Sequence, residues 1–216
     1  MFGQKITHGL GTGLNPGLGK LAAEQEKDKI AQLFDGQDMV IFVASLGGGV
    51  GSGSGPVFAE LSKKFHGISM GIFTLPFKFE GKNKHKIAAK ALSELRNSLN
   101  VSITISNEKI FKVVDPNMAI TQAFSTVNKN LIESLESLID LIYNPGIINI
   151  DFADLKTTLG DKGNLAFLNV TEASGRDRLE KIRKTVLHNY LYSNANFKIQ
   201  RILFNILGGK NLSMLE

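Results

Sequence analysis

The chain has 216 residues, of which 43% are hydrophobic, and a formal net charge of +5, so it can bury a core as one domain or two small ones. Because it contains no cysteine, disulfides, thiol catalysis and cysteine-ligated metal sites are excluded, and the small net charge does not predict nucleic-acid binding. The apolar runs are about strand length and the first residues lack a signal-peptide core, so we expect a cytoplasmic protein without membrane insertion.

Strand-like and helix-like segments alternate along the first half of the chain. The expected elements are a strand over residues 2–6, a helix over 20–34, a strand over 39–44, a helix over 56–65, a strand over 68–74, a helix over 83–99 and a strand over 101–105. This alternation predicts a parallel sheet covered by helices on both faces. Ligands of such sheets bind at the carboxyl ends of the strands, where two glycine-rich segments lie, over residues 9–17 and 47–55.

The second glycine-rich segment reads Gly-Gly-Gly-Val-Gly-Ser-Gly-Ser-Gly over residues 47–55. Glycines let a backbone pass close to a ligand, and the N–H groups of a helix N-terminus suit phosphate oxygens. The pattern of a P-loop hydrolase is not present, and the next strand ends in Leu75-Pro76 rather than in the acidic residue of a Rossmann site. We therefore predict a phosphate-binding loop of another type, with a flexible surface turn as the alternative.

The longest predicted element is a helix that starts at residues 115–117 and stops at residues 144–146. Its apolar residues recur at spacings of three and four, at Ile120, Phe124, Val127, Leu131, Leu135, Leu138 and Ile142. One face of this helix should therefore pack against a core for nearly its whole length. Beyond it, the pattern predicts a smaller α+β unit with helix, strand, helix and strand over residues 151–159, 164–171, 176–191 and 201–207.

Between the long helix and this unit lies Asn-Ile-Asp-Phe-Ala-Asp, over residues 149–154. One interpretation is a helix start, with Asp151 as the cap and Asp154 in the first turn. In the other, the two carboxylates and the amide of Asn149 position a water or a cation for attack on a phosphate. Both interpretations remain open from the residues alone.

Five segments occur in a specific order: the glycine-rich residues 9–16 and 47–53, Pro-Phe-Lys-Phe-Glu-Gly at 76–81, Asn-Glu-Lys at 107–109, and residues 149–154. Together they resemble the motifs of FtsZ, the tubulin-like cell-division GTPase family of bacteria and archaea. The resemblance implies an α/β fold, with a three-layer, mostly parallel sheet whose N-terminal strand is missing. It also implies three regions: a nucleotide-binding domain over residues 1–116, a central helix and linker loop over 117–150, and an incomplete C-terminal α+β domain over 151–216.

The resemblance further implies a site for GTP or GDP, with Mg²⁺ accompanying the nucleotide and no metal held by protein side chains alone. The residues implied to hold the nucleotide are Gly13, Gly48, Gly49, Gly51, Ser52, Gly53, Glu80, Lys84, Asn107, Phe124 and Asn128. Phe124 would stack on the guanine, although it also fits the apolar stripe of the long helix. Asn128 would line the base pocket. Glu80 and Asn107 would reach the ribose and base, although Glu80 also fits a simple turn.

In the same scheme, the chain polymerises head to tail into filaments at the division site, with other division proteins as further partners. Asn149, Asp151 and Asp154 of the next subunit would then complete the catalytic site. Hydrolysis would be coupled to assembly, because the attacking water is positioned only at the contact between subunits.

Several residues depart from the family pattern. Val50 stands in place of a threonine, Lys84 in place of an arginine and Gly17 in place of an acidic residue. Lys129 replaces an aspartate that reads guanine. The lysine ammonium cannot accept hydrogen bonds from the N–H groups of guanine. The family's first strand, a further glycine-rich loop and a helix have no counterpart, so we expect the sheet to expose unpaired backbone and apolar surface. These departures favour a second hypothesis, in which a non-hydrolysing FtsZ-like structural or regulatory protein binds division filaments.

Overall fold

The computed structural model describes residues 2–112, 114–115, 117–144, 151–186, 200–208 and 212–213. Its helices and strands are, in chain order, α1 (Gln4–Thr7), α2 (Pro16–Gln25), α3 (Lys27–Gln32), β1 (Met39–Ser45), α4 (Gly49–Leu61), β2 (Ile68–Leu75), α5 (Lys82–Ser98), β3 (Val101–Ser106), α6 (Ile120–Tyr143), α7 (Phe152–Leu159), β4 (Asn164–Leu165) and α8 (Arg178–Thr185). Short 3₁₀ turns cover Ser62–Lys64, Lys78–Glu80 and Asn107–Lys112.

The four strands form one parallel sheet in the order β1-β2-β3-β4. Met39 pairs with Ile68, and Val101 pairs with Asn164. The central strands β2 and β3 are buried over most of their length, as is typical of parallel strands covered on both faces, and they combine apolar residues with the small polar residues Ser69, Ser102 and Thr104. β1 is an edge strand of the described sheet, and its Val43 is 61% exposed.

Two apolar clusters cover the two faces of the sheet. On one face, Ile72 and Ile103 pack with Leu138 of α6 and Leu155 of α7. The other face is covered by α4 and α5, through a cluster that comprises Leu46, Ala59, Phe73, Ala88, Ala91, Leu92, Leu95 and Leu99. The predicted three-layer arrangement of helix, parallel sheet and helix is therefore confirmed.

The strand predicted over residues 2–6 is wrong, because this segment forms α1. Gly3 adopts a left-handed conformation, with φ of 77°, and its N–H donates to Glu26 Oε1 at 2.9 Å. The same residue lies so close to α2 that a Cβ on it would stand 2.6 Å from the Cβ of Ala22. The first residues thus pack against helices instead of joining the sheet, and the helix predicted over 20–34 divides into α2 and α3 at Glu26.

The predicted second unit contains less strand than expected. The segment predicted as a strand over 164–171 pairs only at Asn164–Leu165, beside β3, and residues 200–208 are not in a strand. Asn169 instead donates its side-chain N–H groups to the carbonyl oxygens of Thr185 and Val186. This contact holds the chain at the end of α8 and away from the sheet.

The long helix is present as α6, which has 24 residues and begins three residues after Asn117. Leu131, Leu135, Leu138 and Ile142 pack against the core, as the apolar stripe predicts. No helix in the described part of the chain combines the length and apolar character needed to cross a membrane.

Candidate functional site

The glycine-rich segment over residues 47–55 is mostly helix and not a loop, because α4 already begins at Gly49. Gly47 makes the turn out of β1 with φ of 103°, and Gly48 is the N-cap in an extended conformation, facing open space. Among the described residues, no side chain caps this helix N-terminus. Its first N–H groups therefore point out at the carboxyl end of β1, where they can bind an anion.

Three of the predicted site glycines in α4 are required for packing. A Cβ on Gly49 would stand 2.7 Å from the carbonyl oxygen of Asn15, and one on Gly53 would stand 2.9 Å from the backbone nitrogen of Lys20. A Cβ on Gly51 would overlap the carbonyl group of Ser45. These glycines let α4 lie directly against β1 and α2, and Gly48 alone among the four faces open space.

The first glycine-rich segment, residues 9–17, also lies beside the N-terminus of α4. Thr12 is buried and lies against Gly49, while Asn15 caps α2 by accepting a hydrogen bond from the N–H of Gly17 at 2.9 Å. Between them, Gly13 and Leu14 both adopt left-handed conformations, with φ of 55° and 62°. The two glycine-rich segments thus meet, although the first follows α1 and not the predicted strand, and Gly13 faces open space beside the α4 N-terminus.

Ser52 supports the turn that precedes α4. Its buried Oγ accepts a hydrogen bond from the N–H of Gly47 at 2.8 Å. The hydroxyl of Ser54 donates to the carbonyl oxygen of Val50, one turn earlier. Ser52 therefore holds the turn in the shape that leaves the helix N-terminus open.

Glu80 and Lys84 form an ion pair near this turn. Lys84 Nζ donates to Glu80 Oε2 at 2.8 Å, and the N–H of Phe77 donates to Glu80 Oε1 at 2.8 Å. The Lys84 hydrogen bond is the main cause that lowers the pKa of Glu80, and the Phe77 N–H lowers it further against the opposing effect of burial. A Cβ on Gly47 would lie 3.2 Å from the Lys84 carbonyl oxygen, so this pair adjoins the glycine turn.

A cavity of about 200 Å³, here called the aromatic pocket, lies beyond this ion pair. Its lining includes Phe77, Phe79, Phe111, Asp115, Met118 and Phe124. The buried Phe77 ring contacts the rings of Phe79, Phe111 and Phe124, with centroids 4.9, 5.7 and 5.7 Å away. Phe124 thus lines the pocket and contacts the buried Phe77 ring, while its own side chain is 37% exposed.

Other residues predicted for the base lie around α6 and β3. Asn107 begins the 3₁₀ turn that follows β3, and Asn128 is exposed on α6. Lys129 lies along α6 with its Nζ 3.6 Å from Glu133 Oε1. The sequence predictions did not include Phe77, Phe111 and Asp115 as site residues, because the turn after β2 and the stretch before α6 meet only in the fold.

Asp151 and Asp154 form a reciprocal cap at the start of α7. Asp151 Oδ1 accepts from the N–H of Asp154 at 2.9 Å, and Asp154 Oδ2 accepts from the N–H of Asp151 at 3.2 Å. Both side chains are exposed. This geometry matches the helix-start interpretation, whereas Asn149 lies outside the described residues. Within the described ranges, no cluster of three or more acidic or histidine side chains could hold a metal ion.

Comparison with known proteins places the chain in a family. Residues 1–115 match the tubulin/FtsZ family, GTPase domain. The chain is 36% identical over all of its 216 residues to the cell division protein FtsZ of Coxiella burnetii, of which it covers 56%. It is also similar to an empty FtsZ dimer structure from M. jannaschii, with 38% identity and a TM-score of 0.79, covering 88% of this chain and 55% of that one.

A GDP-bound CetZ1 monomer from Haloferax volcanii shares the fold, at 22% identity and a TM-score of 0.63, over 76% of this chain and 48% of that one. The chain spans about half the length of the relatives that it matches. The parallel sheet, the glycine-rich start of α4 and the match over residues 1–115 agree with one another. The chain therefore belongs to the tubulin/FtsZ family.

Proposed function

We propose that this chain binds GTP at the N-terminus of α4 and hydrolyses it at a head-to-tail contact between copies, within filaments that serve cell division in the cytoplasm. The observation that carries the proposal is the uncapped start of α4, which lies beside the first glycine-rich segment at the carboxyl end of β1. A helix N-terminus of this kind binds phosphate through its N–H groups and its dipole.

In this proposal the phosphates contact the N–H groups of Gly48, Gly49 and Gly51, which lie at the start of α4 and have no partner within the helix. Gly53 lies beyond this first turn and acts by packing: together with Gly49 and Gly51, its missing side chain allows the close packing that fixes the helix. Ser52 stabilises the turn before α4, because its buried Oγ accepts a hydrogen bond from the N–H of Gly47. Gly13 lies near the terminal phosphate, and Mg²⁺ is held chiefly through the phosphates.

The sugar and base extend from this turn towards the aromatic pocket. Glu80 and Lys84 adjoin the turn, and both have oxygen or nitrogen atoms suited to the ribose hydroxyls. Phe124 stacks on the base, while Asn107 and Asn128 contribute polar groups around it.

The second half of the catalytic site belongs to the next subunit in the filament. Asp151 and Asp154 are exposed at the start of α7, with Asn149 just before them in the sequence. A relative of 38% identity is known as a dimer, which supports association between copies. We also propose the division into a nucleotide-binding domain over residues 1–116, a central helix and loop over 117–150, and an α+β region over 151–216.

A second candidate function is a non-hydrolysing protein that binds division filaments. The observation that favours it is the reciprocal cap, because Asp151 and Asp154 each already accept a backbone N–H. In this candidate the two carboxylates serve only to cap α7.

Phosphate release measured against protein concentration separates the two candidates. If the site is shared between copies, the turnover per chain should rise with concentration, and Asp154→Asn should lower it strongly. Asp35→Asn changes an exposed aspartate elsewhere and serves as the control. Turnover that is independent of concentration would contradict the shared site, and GTP binding without turnover would favour the second candidate.

A further inference from the structure

Asp115 is the one charged side chain among the described residues that line the aromatic pocket. The other lining residues are phenylalanines and aliphatic side chains. Flat aromatic walls favour a planar ring, which stacks on them. The cavity of about 200 Å³ is smaller than the ~300–1,000 Å³ typical of pockets that enclose whole ligands, so it suits one ring system and not a whole nucleotide.

The pocket adjoins the glycine turn through the chain that follows β2. A Cβ on Gly47 would lie 3.3 Å from Pro76 Cγ, and the next residue, Phe77, is the centre of the aromatic contacts. A ligand with phosphates at the α4 N-terminus can therefore extend a ring towards Phe77 and Phe124.

The Asp115 carboxylate is oriented but retains capacity to accept hydrogen bonds. Its Oδ1 accepts from the N–H of Asn117 at 2.8 Å, which fixes the side chain in a local turn. The carboxylate is exposed, and its two oxygens together offer about four acceptor positions, of which this bond takes one.

The edge of a guanine ring carries two adjacent N–H donors, and a carboxylate accepts two parallel hydrogen bonds from such an edge. Adenine presents one amino donor beside a ring acceptor, which a carboxylate repels. Lys129 cannot serve as the acceptor, because an ammonium only donates and its Nζ is directed towards Glu133.

We propose that Asp115 is the residue that selects the base: with the ring stacked in the aromatic pocket, its carboxylate accepts the N–H donors of guanine. This inference rests on the proposed binding of GTP. It assigns to the loop before α6 the selectivity that Lys129 on α6 cannot provide.

Calorimetric titration of the whole chain with GTP, inosine triphosphate and ATP, each with Mg²⁺, tests the inference. Inosine triphosphate has the same ring without the exocyclic amino group. The variant is Asp115→Asn, which keeps an oxygen for the Asn117 N–H, and the matched control is Asp35→Asn. Thermal unfolding of both variants should match the parent chain.

We expect the parent chain to prefer GTP over inosine triphosphate and ATP. Asp115→Asn should weaken GTP binding about tenfold or more and reduce its preference over inosine triphosphate, because a charged acceptor is lost. ATP binding should change little, and Asp35→Asn should behave like the parent. If GTP binds but Asp115→Asn leaves the ratio of affinities unchanged, the role of Asp115 is refuted and the proposed function stands. If the folded parent binds no nucleotide, both are refuted.

Discussion

Gly49, at the first turn of α4, lies directly against the backbone of Asn15, the residue that caps α2. A Cβ on Gly49 would stand 2.7 Å from the Asn15 carbonyl oxygen and 2.8 Å from its nitrogen. Because both neighbours are backbone atoms of a capped helix start, they cannot move aside at low cost. The missing side chain of Gly49 therefore allows the two glycine-rich segments to pack in direct contact.

Gly49→Ala should destabilise the fold by more than Gly48→Ala, which replaces glycine by a poorer N-cap but creates no clash. Overpacking of this kind costs about 1–3 kcal/mol. Gly48 has an extended backbone and faces open space, so an added methyl group meets nothing. Urea unfolding followed by circular dichroism measures both variants. Equal stability of the two would contradict the packing role given to Gly49.

Asn100 should be a second position of high sensitivity. Its Oδ1 accepts from the backbone N–H and the hydroxyl of Ser69 at 2.9 and 2.7 Å, and its Nδ2 donates to the Gly160 carbonyl oxygen at 2.6 Å. It thus ties β2, the start of β3 and the end of α7 together. Asn100→Ala should cost about 2–4 kcal/mol, since several partly buried groups lose their partners.

The matched control for Asn100 is Asn97→Ala, on the exposed face of α5. It should be neutral or slightly stabilising, because alanine has the higher helix propensity. A loss of stability in Asn97→Ala as large as in Asn100→Ala would show that the effect is not specific to the Ser69 and Gly160 bonds.

The Glu80–Lys84 pair should make stability depend on pH. The pKa of Glu80 is lowered in the folded chain, so its contribution is present above the pKa of the unfolded state and is lost as pH falls through the folded value. Glu80→Gln should therefore reduce stability at neutral pH, by about 0.5–1.5 kcal/mol. The difference from the parent should shrink as the medium becomes more acidic than the folded pKa, and a difference that stays constant across this range would exclude the ion pair as its cause.

The two aspartates that cap α7 allow a structural role and a catalytic role to be tested separately. Asp151→Ala removes an N-cap and should cost about 1 kcal/mol of stability. Asp154→Ala should abolish turnover and leave GTP binding intact, because in the proposed filament this residue acts on the nucleotide of the neighbouring copy. Turnover assays and calorimetry on the same preparation distinguish the two effects, and an unchanged hydrolysis rate in Asp154→Ala would remove its role at the subunit contact.

The elements with strong patterns were predictable from the sequence. The three main strands and α5 begin and end within one residue of their predicted limits, because β-branched and apolar residues in the strands and a clear helical stripe in α5 fix them locally. Residues 2–6 and 164–171 were wrongly predicted to be strands. The intrinsic strand propensity of such short apolar segments is too weak to determine whether they join a sheet or pack elsewhere. Contacts with Ala22 and Glu26 decide the first case.

The glycine-rich segment shows why the candidate site was only partly predictable. Glycine has low helix propensity, so six glycines in nine residues indicate a loop. Tertiary packing reverses this preference, since only glycine at positions 49, 51 and 53 allows α4 to approach β1 and α2. The aromatic pocket depends on residues from three separate segments, and no local pattern in the sequence brings them together.

The most direct test of the central claim is calorimetric titration of the purified chain with GTP, and then with ATP, in the presence of magnesium. The key variant is Gly48→Asp, because aspartate is a favourable N-cap and should preserve the helix while its carboxylate occupies the N–H groups that would bind phosphate. We predict micromolar binding of GTP by the parent chain, little response to ATP, and loss of GTP binding in the folded Gly48→Asp variant. Equal GTP binding by the parent and by Gly48→Asp would contradict the assignment of the α4 N-terminus as the phosphate site.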